Sequence, residues 1–95
     1  MSKSIISNEK RCIVCQDTRE LHRHHIYGGV ANRRLSEKHG CWVYLCPRHH
    51  NMSDEGVHFN KNLDLILKQQ CQRVLENKLG WTREKMIEIF GRNYL

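Results

Sequence analysis

Two short pairs set the strongest limit on how this chain can fold: Cys12-Ile-Val-Cys15 and Cys46-Pro-Arg-His49. Each pair leaves two residues between metal-binding side chains. A turn of that length aims both ligand atoms at one ion, and two such turns fill the four positions of a tetrahedral zinc. A site with every position taken by protein is structural rather than reactive. Thirty residues separate the pairs, more than a simple zinc finger allows. The ion would therefore tie the start of the domain to a distant segment.

A chain of this size needs such a tie. Its 95 residues make a single domain, 1–95, and 39% hydrophobic content with two Trp, three Tyr and two Phe provides few large anchors. Domains this short bury a modest share of their surface, and a metal often supplements the core. The competing use of CIVC, a redox dithiol, belongs after a strand in a βαβ unit, and no such unit is visible. Cys71 lies on an apolar helical stripe and reads as core. No apolar run approaches the roughly 18 residues of a membrane-spanning helix, so no membrane partner is expected. The opening MSKSIISNEK lacks the apolar run of a signal peptide. With five cysteines, an odd count, the expected compartment is reducing, the cytoplasm.

The formal net charge is +6. Nine basic residues face six acidic ones in 1–60, and seven face four in 61–95, so no tail carries the excess. Dispersed positive charge of this size favours a polyanionic partner, nucleic acid above all.

Along the chain, residues 1–10 are polar and expected to fray. ELHRHHI is a short strand candidate ended by Gly28-Gly29. VANRRLSEKHG shows no sustained period and reads as a basic loop. CWVYL, rich in β-branched and aromatic residues, is the best strand. Pro47 is placed to start a short helical turn. Leu63, Ile66, Leu67, Val74, Leu75 and Leu79 then fall on one stripe at helical spacing, with Gly80 as the stop. Thr82 can cap a last helix that buries Met86, Ile87, Ile89 and Phe90. The order predicted is strand, basic loop, strand, metal-binding segment, helix (60–79), helix (82–92).

Seven histidines exceed what one zinc site uses. His24 and His25 close the first strand, and His50 follows directly after a zinc ligand. If zinc draws those regions together, the three can share one pocket. His58 lies eight residues after His50, with Asp54 between them at i+4 from His50. His22 shares a strand face with His24, and His39 has only its loop position.

In this order, CIVC, HRHHIYGG and WVYLCPRHHN resemble the HNH, or ββα-metal, endonuclease motif over about residues 12–58. Within that superfamily the chain most resembles small bacteriophage proteins, including the recombination-enhancement, RecA-dependent nucleases, through its Leu-Cys-x-x-His-His-Asn run. The resemblance implies a small zinc-supported ββα-metal core over 12–58 with a structural zinc knuckle, and the two C-terminal helices read above extend it over 60–95 into an α+β fold. It implies that His24 and His50 hold a catalytic metal and that His25 is the general base. The third ligand is His58 or Asp54; His58 is favoured, because Gly56 lets the chain fold back. Cys12, Cys15, Cys46 and His49 take the structural zinc. Arg23, Arg33, Arg34, Lys38 and Arg48 surround the pocket as phosphate contacts.

The implied activity is hydrolysis of DNA phosphodiester bonds with one catalytic divalent metal (Mg²⁺, Mn²⁺, Ni²⁺ or Zn²⁺). The implied partners are double- or single-stranded DNA and a recombinase filament, in the cytoplasm of a bacterial host. Three neutral imidazoles favour a transition metal, whereas Mg²⁺ would bring in Asp54. One position departs from the motif. Cys41 stands where a middle Asn normally braces the base, so the loop backbone, Asn32 or Asn51 must take over, or activity is weak. The alternative reading is a catalytically inactive, zinc-stabilised nucleic-acid-binding module.

Metal analysis of the purified protein is expected to give about one tightly held zinc per chain. Cys12→Ser or Cys46→Ser should lose it together with folding, because in small zinc domains metal binding is folding free energy. Well-folded protein without zinc would refute the assignment.

Overall fold

Of the expected strand CWVYL, Trp42–Leu45 form β structure and Cys41 lies just before it. In the computed structural model, which describes residues 3–51 and 56–95, β1 (His22–His25) pairs antiparallel with β2 (Trp42–Leu45). His22 lies opposite Leu45, His24 opposite Val43 and His25 opposite Trp42. Val43 and Leu45 are buried in the core. The architecture is a small α+β fold with a two-stranded sheet and four helices among the described residues.

The segment between the strands is a helix, α1 (Val30–His39), and not the expected basic loop. Its anchor is a hydroxyl rather than an apolar stripe. Ser36 is fully buried, donating to the Tyr27 carbonyl at 2.9 Å and accepting from the Tyr27 N–H at 3.1 Å. Arg33, Arg34 and Lys38 occupy the exposed side. A helix held this way leaves little hydrophobic periodicity to read. Gly40 ends it at φ 74°, and a Cβ there would collide with the Lys3 carbonyl. That close approach belongs to the N-terminal segment, which is packed where fraying was expected. Ser4 Oγ donates to the Trp42 carbonyl at 2.6 Å, and Ile5 N–H to the Gly40 carbonyl at 2.9 Å.

After β2 comes a single turn, α2 (Pro47–His50), begun by Pro47 as anticipated. Helix α3 (Lys61–Leu79) starts at Asn60, whose side chain accepts from the N–H groups of Asn62 and Leu63, and stops at Gly80 in the left-handed region. Helix α4 (Arg83–Phe90) is capped by Thr82. The buried face of α3 is narrower than its apolar spacing predicts. Leu67, Cys71 and Leu75 are buried, but Ile66 and Leu79 are 57% and 52% exposed. The buried place beside Cys71 is filled by Gln72, whose amide donates to Glu76 and Asn93 and accepts from Tyr94 N–H. In α4, Met86 and Phe90 are buried and Ile87 is exposed. No helix among the described residues is long and apolar enough to cross a membrane.

Tyr27 fixes α3 beside the end of β1. Its hydroxyl donates to the Lys68 carbonyl at 2.7 Å, and its ring packs against Phe90. One wall of the cleft described next therefore comes from α3.

Candidate metal centre

Cys12 and Cys15 sit on a tight turn in which Gln16 N–H bonds the Cys12 carbonyl and Cys12 N–H bonds the Asp17 carbonyl, each at 2.8 Å. Ile13 N–H reaches the Tyr44 carbonyl at 3.0 Å and fastens this turn to β2. Cys46 and His49 lie on the α2 turn that β2 leads into. The four ligand atoms come within 4.8 Å of one another. Cys15 Sγ is 3.6 Å from Cys46 Sγ, and His49 Nδ1 is 3.3 Å from Cys46 Sγ and 3.8 Å from Cys12 Sγ. Bonds of about 2.3 Å to sulfur and 2.0 Å to nitrogen give tetrahedral edges of roughly 3.5–3.8 Å, so this set can hold zinc. Burial raises the Cys12 thiol, but the N–H groups of Cys46, Cys15 and Val14 outweigh it, and the net shift is downward, toward thiolate.

A second cluster joins His24, His50 and His58, again with one ring nitrogen each within 4.8 Å of the others. His24 comes from β1 and His50 from α2. His58 is brought alongside by the returning chain, where Val57 N–H bonds the His49 carbonyl at 2.8 Å and His58 N–H the His50 carbonyl at 3.2 Å. His50 Nε2 and His58 Nε2 are 3.1 Å apart. That is near the roughly 3.3 Å edge of a tetrahedral ion with bonds of about 2.0 Å. The deciding atom is His24 Nε2, which is buried and has no hydrogen-bond partner among the described residues. An imidazole nitrogen left so is costly unless it has a partner, and a cation would supply one. Burial, followed by the charges of its histidine neighbours, pushes His24 down to about 3, and His50 falls to about 4 for the same reasons. Both rings are then neutral at pH 7, as ligands must be.

Of the two third-ligand candidates, His58 belongs to this cluster, and Asp54 lies outside the described residues. The cluster opens on a cleft of about 620 Å³ that is also lined by Arg23, His25, Arg33, Asp64 and Lys68. A neighbouring cleft is lined by His25, Val30, Arg33, Arg34 and Glu37. Lys38 and Arg48 are exposed and line neither cleft. Arg23 Nη1 donates to both oxygens of Glu37 at 2.9 Å, and its guanidinium lies 3.8 Å above the Trp42 ring.

Four residues of this region were missed or undervalued in the sequence. His22 Nδ1 is 2.9 Å from His50 Nδ1. For His50 to coordinate through Nε2, its proton must sit on Nδ1 and be donated to His22, so His22 fixes the ligand tautomer. The alternation of β1, which puts His22 and His24 on one face, was the available signal. Asp64 and Lys68, an ion pair at 2.8 Å, and Glu37 carried none. Cys41 is fully buried beside Cys71, and that contact and burial raise its thiol. Asn32 donates to the Phe90 carbonyl, and His39 packs edge-on against Trp81.

No family model, no curated protein and no solved structure matches this chain.

The orienting role of His22 predicts that His22→Ala keeps its zinc but binds a divalent ion at the three-histidine site about 10- to 100-fold more weakly, measured by calorimetric titration. Unchanged affinity would remove His22 from the site. The second prediction concerns acid. Because His24 is neutral when folded, the unfolded chain binds more protons between about pH 6.5 and 3. Stability contributed there falls as pH drops through that window. The urea midpoint of protein carrying only its structural zinc should therefore fall less between pH 7 and pH 5 in His24→Gln than in the wild type; equal slopes would contradict the shift.

Proposed function

We propose that this chain is a metal-dependent endonuclease of the HNH, or ββα-metal, type that hydrolyses DNA phosphodiester bonds. One observation carries the reading. Three imidazoles converge around an unpartnered buried nitrogen, while a fourth histidine, His25, lines the same cleft without belonging to either metal cluster. A purely structural zinc domain has no use for that second set. The strand–strand–helix order of β1, β2 and α2, with α1 inserted between the strands, supports the ββα-metal reading.

Each residue has a separate task in this mechanism. His25 takes the proton of the attacking water. His24, His50 and His58 hold a divalent ion, which when bound supplies charge stabilisation at the phosphate and the leaving oxygen. Arg33 and Lys68 line the cleft and pair with phosphate oxygens. Asp64 holds the Lys68 ammonium in place. The set of neutral nitrogen ligands suits a transition metal better than Mg²⁺.

A second reading has its own support. Cys41, at the position where the motif carries Asn, contributes a buried thiol and no amide. A zinc-stabilised nucleic-acid-binding module without catalysis would tolerate that.

A supercoiled-plasmid nicking assay separates the two. Nicking is expected with a transition-metal ion, abolished by EDTA and slowed about 10²- to 10⁴-fold in His25→Ala. Folded protein that binds the plasmid yet cleaves with none of Mg²⁺, Mn²⁺, Ni²⁺ or Zn²⁺ would establish the binding module instead.

A further inference from the structure

We infer that Glu37 is a positioning residue for His25, holding its imidazole proton on Nε2 and leaving Nδ1 as the atom that accepts a proton from water. The inference rests on the nuclease reading for the second half of that statement only. Arg23 and His25 are two residues apart on β1 and so share one face, opposite the face of His22 and His24. Glu37, near the C-terminal end of α1, reaches over both. Its Oε1 is 3.1 Å from His25 Nε2, while both its oxygens accept from Arg23 Nη1 at 2.9 Å.

The chemistry of the pair fixes its polarity. An ionised carboxylate only accepts, and an arginine beside it keeps it ionised. The shared hydrogen must then sit on His25 Nε2, and the other nitrogen of a neutral ring carries the lone pair. Arg23 itself lies over the ring of Trp42, the cross-strand partner of His25. Trp42, Arg23 and Glu37 thus form a continuous brace behind one imidazole. Glu37 lines the neighbouring cleft, so it approaches His25 from there rather than from the cleft of the three ligands.

This brace performs the task that an Asn at position 41 would have been expected to do. It also gives Arg23 a part other than the phosphate contact expected of it. The carboxylate comes from the helix that the sequence presented as a loop, so no motif spacing could reveal it.

The test uses full-length, zinc-loaded protein labelled with ¹⁵N at histidine. Two-bond ¹H–¹⁵N correlation spectra at about pH 8, where free imidazole is neutral, report each ring's tautomer. Wild-type His25 is expected as the Nε2–H form. Glu37→Ala should mix the two tautomers and lower kcat for plasmid nicking on the order of 10-fold with little change in KM, less than loss of the base itself. Glu37→Gln, which still presents an oxygen, should restore both. Finding the Nδ1–H form in the wild type overturns the proposal whether or not the protein cleaves DNA, and requires no variant to fold. A kcat for Glu37→Ala equal to wild type, in protein of full zinc content, also overturns it. The Nε2–H form in wild-type protein that cleaves nothing upholds the positioning and overturns the nuclease reading alone.

Discussion

The Cys12–Cys15–Cys46–His49 cluster is the contact on which everything else in this chain is hung. A structural zinc in such a set contributes roughly 10–16 kcal/mol of apparent binding free energy. Whole domains are stable by only about 5–15 kcal/mol. In a chain with few large apolar anchors, an ion held there would be comparable to the entire net stability rather than an addition to it. The cluster acts at the hinge of the fold, between the turn that precedes β1 and the turn that follows β2. Closing it aligns the two strands, and the strands then carry the histidines toward one another.

Around the second cluster the electrostatics run in one direction. Burial and mutual repulsion keep His24 and His50 uncharged, and Arg33 and Lys68 add positive potential to the cleft walls. Under the function proposed above, such a cleft would receive an anion together with a cation. A phosphate group with its metal is such a ligand. The Tyr27 hydroxyl fastens the α3 backbone at Lys68 and so helps bring that residue into the arrangement.

The two clusters that could hold metal were the most legible part of the sequence, since cysteine and histidine spacing encodes a local turn that needs little tertiary context. Both strands and the ends of α3 and α4 were also readable, from β-branched residues, Asn60, Gly80 and Thr82. Helix α1 was not, because a single buried hydroxyl at Ser36 does the work of an apolar stripe. The exposure of Ile66 and Leu79 was missed for a related reason: Gln72, a polar side chain, occupies buried space that periodicity reserves for hydrophobes. His22 and Glu37 escaped because they act on other side chains. Their roles depend on distances set by the sheet register and by a helix the sequence concealed.

Helix α2 is one turn long, yet its adjacent histidines serve different clusters, His49 the first and His50 the second. Successive residues on an α-helix diverge by about 100°, which is what sends the two rings to opposite destinations. Inserting one residue between Cys46 and His49 would turn His49 onto the heading of His50, and deleting one would turn His50 onto the heading of His49, with the other ring carried away from both clusters. This segment is thus a phase-locked joint: a change of length between Cys46 and His49 would misdirect both rings at once.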